Sequence, residues 1–160
     1  MSLGSLIASR NSCYDQARYW QGSADEYSRQ ITDITARLEH KREQLKKAQS
    51  ALTEVTALTG KDDALTESLT SLSNAVATAL EEPGASSSAT KISEENAGHI
   101  ARAEAACNAL IETLNEEIAA LEADLAYAQD GLSYSNGRVS YYNSQAGYYS
   151  NLIANYREDE

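Results

Sequence analysis

The chain has 160 residues, no phenylalanine, one proline and a formal net charge of −11. So acidic a chain lacks the basic footprint that nucleic-acid binding needs, and anionic membrane surfaces repel it. Its Ala-, Leu-, Ser-, Glu- and Tyr-rich composition is typical of long helices, and no apolar run approaches the ~20 residues of a membrane span. We therefore predict a soluble, cytoplasmic, all-α protein with neither a nucleic-acid partner nor a membrane span; export without a cleaved signal peptide stays open.

The first part of the chain carries two series of mostly apolar residues, each repeating every seven positions. A seven-residue apolar period sustained over this length indicates a coiled-coil seam. The first series is Leu3, Arg10, Ala17, Ala24, Ile31, Leu38, Leu45 and Leu52. The second is Leu6, Cys13, Trp20, Tyr27, Ile34, Lys41, Ala48 and Val55. The pattern predicts a long helix over residues 3–58.

The middle of the chain contains signals for a helix end, a short helix and a loop. Gly60 suits the left-handed position that ends a helix, and Asp62 or Asp63 can cap the start of the next one. We expect a short helix over 63–80. A flexible loop is expected over 81–90, where proline, glycine and serine cluster.

The last part of the chain repeats the seven-residue pattern and predicts a long helix over residues 92–157. One series is Ala97, Glu104, Ile111, Ile118, Leu125, Leu132, Val139, Ala146 and Ile153. The other is Ile100, Cys107, Leu114, Leu121, Ala128, Ser135, Tyr142, Tyr149 and Tyr156. Both cysteines fall on these seams and are expected to act as small apolar residues, not as a disulfide.

The two long repeats match each other in antiparallel orientation, because the connection between them is too short for a parallel return. Pairs whose numbers total about 159 place Leu38 opposite Leu121. A shift of one heptad, to about 166, places Trp20 opposite Ala146 and fits nearly as well. The predicted fold is a long antiparallel coiled-coil helical hairpin in a single domain, residues 1–160, with the short third helix near the connecting end.

Aromatic residues are confined to one end of the predicted hairpin. Four tyrosines lie beside the seam and repeat every seven residues: Tyr127, Tyr134, Tyr141 and Tyr148. Two interpretations follow: the rings cover the seam of a thin coil, or they dock a partner helix. Under the second interpretation, Tyr19 and Trp20 of the first helix belong to the same partner-binding surface.

A short basic patch lies in the middle of the first repeat, at Lys41, Arg42, Lys46 and Lys47. The antiparallel pairing places it opposite an acidic run, Glu112, Glu116, Glu117, Glu122 and Asp124. We interpret these charges as flanking pairs on a solvated face, which help to set orientation and contribute little to stability.

Catalysis needs groups that converge in a concave site, and the sequence shows no such constellation. His40 and His99 are isolated, no glycine-rich phosphate loop is present, and no metal-ligand spacing occurs. We therefore predict a non-enzyme without a cofactor, a metal site or catalytic residues.

Two short motifs add a resemblance to a known family. Residues 20–22 form a Trp-x-Gly tripeptide, and Tyr156 with Glu160 forms Tyr-x-x-x-Glu. With the acidic helical-hairpin layout, these resemble the small helical WXG-like proteins of bacterial type VII secretion, and more specifically the helical partners of LXG-domain toxins. In that family the Trp-x-Gly lies in the turn between helices, whereas Trp20 falls on a heptad seam. The resemblance implies a targeting or chaperone-like protein that docks along a toxin's helical domain.

The leading hypothesis is thus a non-catalytic helical binding partner in a secretion complex, with Tyr156 and Glu160 as candidate secretion-signal residues. The alternative is a structural coiled-coil adaptor or rod that self-associates, as a homodimer, through the tyrosine surface.

Overall fold

The computed structural model describes the backbone of residues 2–80 and 84–156, and the side chains of residues 2–75 and 91–156. Within those ranges the chain forms two α-helices and no β-strand. Helix α1 spans Leu3–Leu80 and helix α2 spans Gly84–Ala154. The two helices pack against each other, so the all-α prediction is confirmed.

The chain divides into two compact units. Unit 1 joins Met1–Glu39 to Ala119–Glu160, and unit 2 spans His40–Ile118. In unit 1, Trp20 contacts Tyr134 and Tyr27 contacts Tyr127, so α1 and α2 run antiparallel. The helices of unit 2 are also antiparallel, because Lys41 contacts Glu117 and Thr66 contacts Ser93.

The contacts between the helices also select between the two predicted registers. The numbers of Thr66 and Ser93 total 159, and those of Lys41 and Glu117 total 158. Both values agree with the first register, whereas the alternative is seven or eight positions away. In unit 1, Tyr27 contacts Gly131 and Trp20 contacts Arg138, pairs that each total 158, so the shifted register with Trp20 opposite Ala146 is wrong.

The seven-residue seams form the interface between the helices. Every predicted seam residue except Leu3 and Ala97 is buried or half-buried, while their neighbours are mostly exposed. The buried hydrophobic residues are Leu6, Ala17, Ala24, Ile34, Leu38, Ala48, Leu114, Leu121, Ala128 and Ala146. All ten lie on the predicted seams, so the heptad pattern is confirmed at the level of side-chain burial.

The predicted break near Gly60 does not occur. Helix α1 continues from Leu3 to Leu80, so the separate helices over 3–58 and 63–80 are wrong, and so is the short third helix. A glycine inside a helix costs only about 1 kcal/mol relative to alanine. The seam outweighs this cost, because its seven-residue phase runs on through half-buried residues, namely Asp62, Thr66 and Leu69.

The predicted loop over 81–90 is also wrong for most of its length, because α2 begins at Gly84. Residues 81–83 lie outside the described part of the chain. The serine and glycine residues suggest a loop here. The helix penalty of each serine is only a few tenths of a kcal/mol relative to alanine, so the segment can still be helical. At its other end, α2 stops at Ala154, slightly before the predicted 157.

The seam of unit 2 becomes polar beyond Val55. Thr59 donates a hydrogen bond to Glu104 at 3.4 Å, and the hydroxyls of Thr66 and Ser93 are 2.7 Å apart in a partly buried pair. A partly buried hydroxyl is stabilised only when its partner is present. The two helices therefore meet here through matched hydroxyls, where the earlier part of the seam uses alanine and leucine.

We predict non-additive effects at this hydroxyl pair. Thr66→Val or Ser93→Ala alone should lower the free energy of unfolding by about 1 kcal/mol, because each leaves one hydroxyl without its partner. The double variant should cost less than the sum of the two, since no unpaired hydroxyl remains. Urea denaturation of all four proteins measures the coupling.

Thr53→Val is the matched control, because the Thr53 hydroxyl donates to the Gln49 carbonyl within its own helix. Additive losses in the Thr66 and Ser93 variants would show that this hydroxyl pair does not couple the helices.

Candidate interaction site

The four tyrosines at seven-residue spacing, hereafter the tyrosine stripe, all lie on the surface of unit 1. Tyr127 is 71% exposed, Tyr134 60%, Tyr141 51% and Tyr148 56%. Because they sit beside the seam and not on it, antiparallel packing of α1 and α2 leaves a large part of each ring uncovered. The structure therefore places these predicted partner-binding residues where another protein can reach them.

Tyr19 and Trp20 occupy different environments although they are neighbours in sequence. Tyr19 is 65% exposed, whereas Trp20 is half-buried on the seam. The indole ring of Trp20 packs edge-to-face against Tyr19 at 5.3 Å and against Tyr134 at 5.4 Å. Trp20 thus connects the aromatic side chains of α1 to the tyrosine stripe, and offers less surface of its own.

Arg138 belongs to this aromatic cluster, and its position in the sequence gave no sign of that role. Its guanidinium carbon lies 4.9 Å from the ring centre of Tyr142, 5.5 Å from that of Tyr141 and 5.7 Å from that of Trp20. Its Nη2 also donates to the Tyr142 hydroxyl at 2.8 Å. Cations are attracted to the faces of aromatic rings, so Arg138 holds the three rings together.

Tyr27 packs directly on the backbone of the opposite helix at Gly131. A Cβ atom added at Gly131 would lie 2.8 Å from Cε2 of the Tyr27 ring, closer than real Cβ contacts. A side chain at position 131 would therefore overlap this ring. Glycine suits this close approach because a side chain would force the outer end of the Tyr27 ring to shift, whereas Gly137 and Gly147 have open space around them.

The Tyr27 ring also approaches Tyr127, with ring centres 6.4 Å apart. A side-chain hydrogen bond with Tyr127 raises the pKa of Tyr27 above its ordinary value of 10.0, and electrostatic repulsion from Tyr127 and burial act in the same direction. All three effects favour the neutral phenol, so the Tyr27 hydroxyl stays available as a hydrogen-bond donor.

A groove of about 510 Å³ opens beside this pair. Its lining residues are Tyr19, Gly22, Ser23, Glu26, Tyr27, Gln30 and Tyr127. Gly22 of the Trp-x-Gly motif lines this groove and has open space where a Cβ would be. The motif lies inside α1 and forms no turn.

The candidate secretion-signal residues lie at the end of α2. Tyr156 follows the helix, is half-buried, and its backbone N–H donates to the Ile153 carbonyl at 3.2 Å. Glu160 lies outside the described residues. The structure thus places the first residue of the Tyr-x-x-x-Glu motif where the helix has just ended.

An ion pair joins the basic patch to the acidic run within unit 2. Lys41 Nζ lies 2.7 Å from Glu117 Oε2, and both side chains keep part of their surface in water. Lys41 lies on the seam, and its long side chain carries the charge to the partly exposed edge. Partly exposed pairs contribute little net stability, so the patch is better explained by orientation than by binding.

The described part of the chain also bears on the expectations for metal ligands, cysteines and membrane spans. No group of three or more His, Cys, Asp or Glu residues is placed to hold a metal ion, and both cysteines are free. No described helix is long and apolar enough to cross a membrane.

No family model, curated protein or solved structure matches this chain. The site must therefore be interpreted from its own residues.

We predict that an alanine at position 131 behaves differently from an alanine at position 137. Gly137→Ala should stabilise the protein by up to about 1 kcal/mol through helix propensity, because the site is exposed and open. Gly131→Ala should lose that gain, because the new methyl group displaces the Tyr27 ring. Thermal denaturation followed by circular dichroism measures the difference.

A Tyr27→Ala background provides the control, since removal of the ring should allow Gly131→Ala to regain the stabilisation seen at Gly137. Equal stabilisation by both alanines in the wild-type background would contradict the Tyr27–Gly131 contact.

Proposed function

We propose that this protein is a non-catalytic helical binding partner, with a targeting or chaperone-like role in a bacterial type VII secretion complex. Its partner is a helical protein, such as the N-terminal helical domain of a secreted toxin. The observation that carries the proposal is the exposure of the tyrosine stripe, since four large rings in a row are left largely uncovered in unit 1.

The amount of uncovered ring surface supports a binding role. Tyrosine side chains of about 200 Å² each, at the observed exposures, leave roughly 480 Å² uncovered on the four stripe residues. A stable interface buries about 800 Å² on each partner. The stripe alone supplies more than half of that area, and Tyr19 lies nearby to extend it.

The tyrosine and arginine residues of this surface are typical of binding interfaces and not of catalytic sites. Tyrosine and arginine dominate the strongly contributing positions of protein interfaces, because each couples a large contact area to hydrogen-bonding groups. Here Tyr134 and Tyr141 flank Trp20 and Arg138, which fix the positions of both rings. Ring order before docking reduces the entropy lost on binding.

Export is proposed from the Tyr-x-x-x-Glu motif. Tyr156 lies just beyond the end of α2 and is half-buried, so part of its surface remains accessible to a receptor. Within the resemblance to WXG-like partners, this motif is the secretion-signal candidate and the tyrosine stripe is the toxin-docking surface. The two roles therefore use different residues and can be tested separately.

Self-association through the stripe is the second candidate, because the same exposed rings would serve a homodimer. Sedimentation equilibrium of the purified chain separates the two. A monomer that captures a helical protein encoded beside it supports the secretion partner, whereas a tight homodimer that captures none supports the structural adaptor.

We predict that truncation of the stripe abolishes partner capture. The triple variant Tyr134→Ala, Tyr141→Ala, Tyr148→Ala should retain its helical circular dichroism but lose at least a hundredfold in affinity for the co-encoded helical domain. The reason is that strongly contributing interface tyrosines cost about 2 kcal/mol each when truncated. Co-purification and calorimetry measure the loss.

The matched control is Leu65→Ala, Leu72→Ala, Leu110→Ala, which removes three exposed large residues from unit 2. Unchanged affinity in the tyrosine variant, or an equal loss in the leucine variant, would rule out the stripe as the docking surface.

We predict that the terminal motif acts on export alone. Tyr156→Ala with Glu160→Ala should leave the melting temperature and partner affinity unchanged and abolish export of the complex. Glu158→Ala removes a charge from the same tail without touching the motif and should export normally. Export of the double variant at the wild-type level would remove the type VII assignment and leave partner binding standing.

A further inference from the structure

The last third of α2 is almost free of charge although much of it is exposed. Between Gly131 and Asn155 the only charged residue is Arg138. At the chain average of 23% charged residues, a stretch of this length would hold about six. Tyrosine, serine, glycine and asparagine fill the exposed positions instead, a composition that gives binding surfaces both rigid contact area and adaptable hydrogen bonding.

The one charge in this stretch is already engaged within the molecule. Arg138 donates to Tyr142 and lies against the Trp20 ring. Its Nε is buried. A partner would therefore meet little free charge on this face, and recognition must depend on shape and on neutral hydrogen bonds.

Large and small residues alternate along the face. Three positions after the stripe residues Tyr134, Tyr141 and Tyr148 come Gly137, Ser144 and Asn151, respectively, whereas Tyr127 is followed at this spacing by the charged Asp130 and lies outside the uncharged face. Residues three apart are neighbours on a helix surface. Gly137 has open space where a side chain would be, so the face presents rings separated by shallow notches.

Unit 1 already contains one example of how such a ring is accommodated. The Tyr27 ring of α1 lies against Gly131 of α2, with no room for even a methyl group between them. A tyrosine can therefore pack on the backbone of a facing helix where that helix carries a very small residue. The exposed stripe tyrosines lack this counterpart.

The seven-residue spacing of the stripe defines the form of the occupant. The seam of α1 and α2 has the same period, so the stripe follows the same path along α2. From Tyr127 to Tyr148 it extends for roughly 32 Å at 1.5 Å per residue. A straight or irregular segment would leave such a path, whereas a helix with its own heptad repeat can follow it throughout.

We propose that the last three residues of the tyrosine stripe, Tyr134, Tyr141 and Tyr148, seat a partner α-helix that carries small residues, alanine, glycine or serine, at seven-residue intervals on an uncharged face. The tyrosine rings pack over these small residues, and the partner's own larger side chains enter the notches at Gly137 and Ser144. This inference rests on the proposed function and adds the chemistry of the docking helix.

A second copy of the chain is a poorer occupant. Two chains would bring together net charges of −11 each, and like charges oppose association. A neutral-faced helix avoids this cost, and its docking would show little dependence on salt.

Two designed helical peptides of about 28 residues, four heptads, test the proposal against the full chain. One carries alanine at every seventh position of an otherwise serine- and glutamine-rich face, and the other carries leucine there. We expect the alanine peptide to bind at least tenfold more tightly by fluorescence anisotropy. Its Kd should change less than threefold between roughly 50 and 500 mM salt, a range over which exposed charge interactions are strongly screened.

Gly137→Leu fills one notch and should lower the affinity for the alanine peptide at least tenfold. Gly98→Leu is the matched control, because Gly98 lies on the same helix with open space around it but outside the face. Four results would overturn the proposal: absence of binding by the alanine peptide, preference for the leucine peptide, a tenfold salt effect, or equal effects of the two leucine substitutions.

The proposed function and this inference fail in different ways. If the triple tyrosine variant loses its co-encoded partner but Gly137→Leu does not, the stripe binds a partner that does not use the notches, and only the inference is wrong. A homodimer that Gly137→Leu dissociates would also overturn the inference, since a second copy would then be the occupant.

Discussion

Small side chains on the seam between α1 and α2 determine the rest of this structure. Among the described residues, five of the ten buried hydrophobic side chains are alanine, so helices of the same unit can approach closely. The rings that lie on the seam, such as Trp20 and Tyr142, are therefore only half-buried. The tyrosines beside the seam are more exposed because of their position, and the Tyr27 ring packs where the opposite helix has a glycine, Gly131.

The seam also explains why local signals for helix ends have little effect. Gly60 and the serine-rich segment after Gly84 each disfavour a helix, but by amounts of about 1 kcal/mol or less per residue. Near Gly60, half-buried seam residues on both sides, Val55 and Asp62, supply contacts that offset this cost, and helical stability in proteins comes mainly from such packing. Where apolar residues run out, hydroxyl pairs such as Thr66 and Ser93 maintain the contact between helices.

Heptad spacing predicts which residues of a helix face the other helix, but it does not predict contacts that depend on distances between particular side chains. The seam residues and the antiparallel pairing follow from spacing alone, and the seam side chains that the structure describes are buried or half-buried except Leu3 and Ala97. The choice between the two registers depends on how rings and small residues pack against each other, and the heptad spacing is the same in both registers. The ring contacts of Arg138 cannot be predicted from spacing either, because the three rings belong to two helices. Nothing in the sequence distinguishes Gly131 from the other glycines, because its role depends on the position of the Tyr27 ring.

The spacing of the stripe tyrosines can be recognised in the sequence, but it does not show how exposed and how weakly charged their surroundings are. Helix α2 carries charges regularly up to Asp130, and only Arg138 from there to Asn155. An exposed helix can stay hydrated through hydroxyl and amide groups as well as through charges. The difference appears on docking, because a charge that enters an interface must lose its water at a cost of several kcal/mol, whereas a neutral hydroxyl loses far less. A helix hydrated by tyrosine, serine and asparagine can thus remain exposed when free and be covered by a partner without a large desolvation penalty. The combination of solvent exposure with very few charges distinguishes the last third of α2 from an ordinary solvated helix.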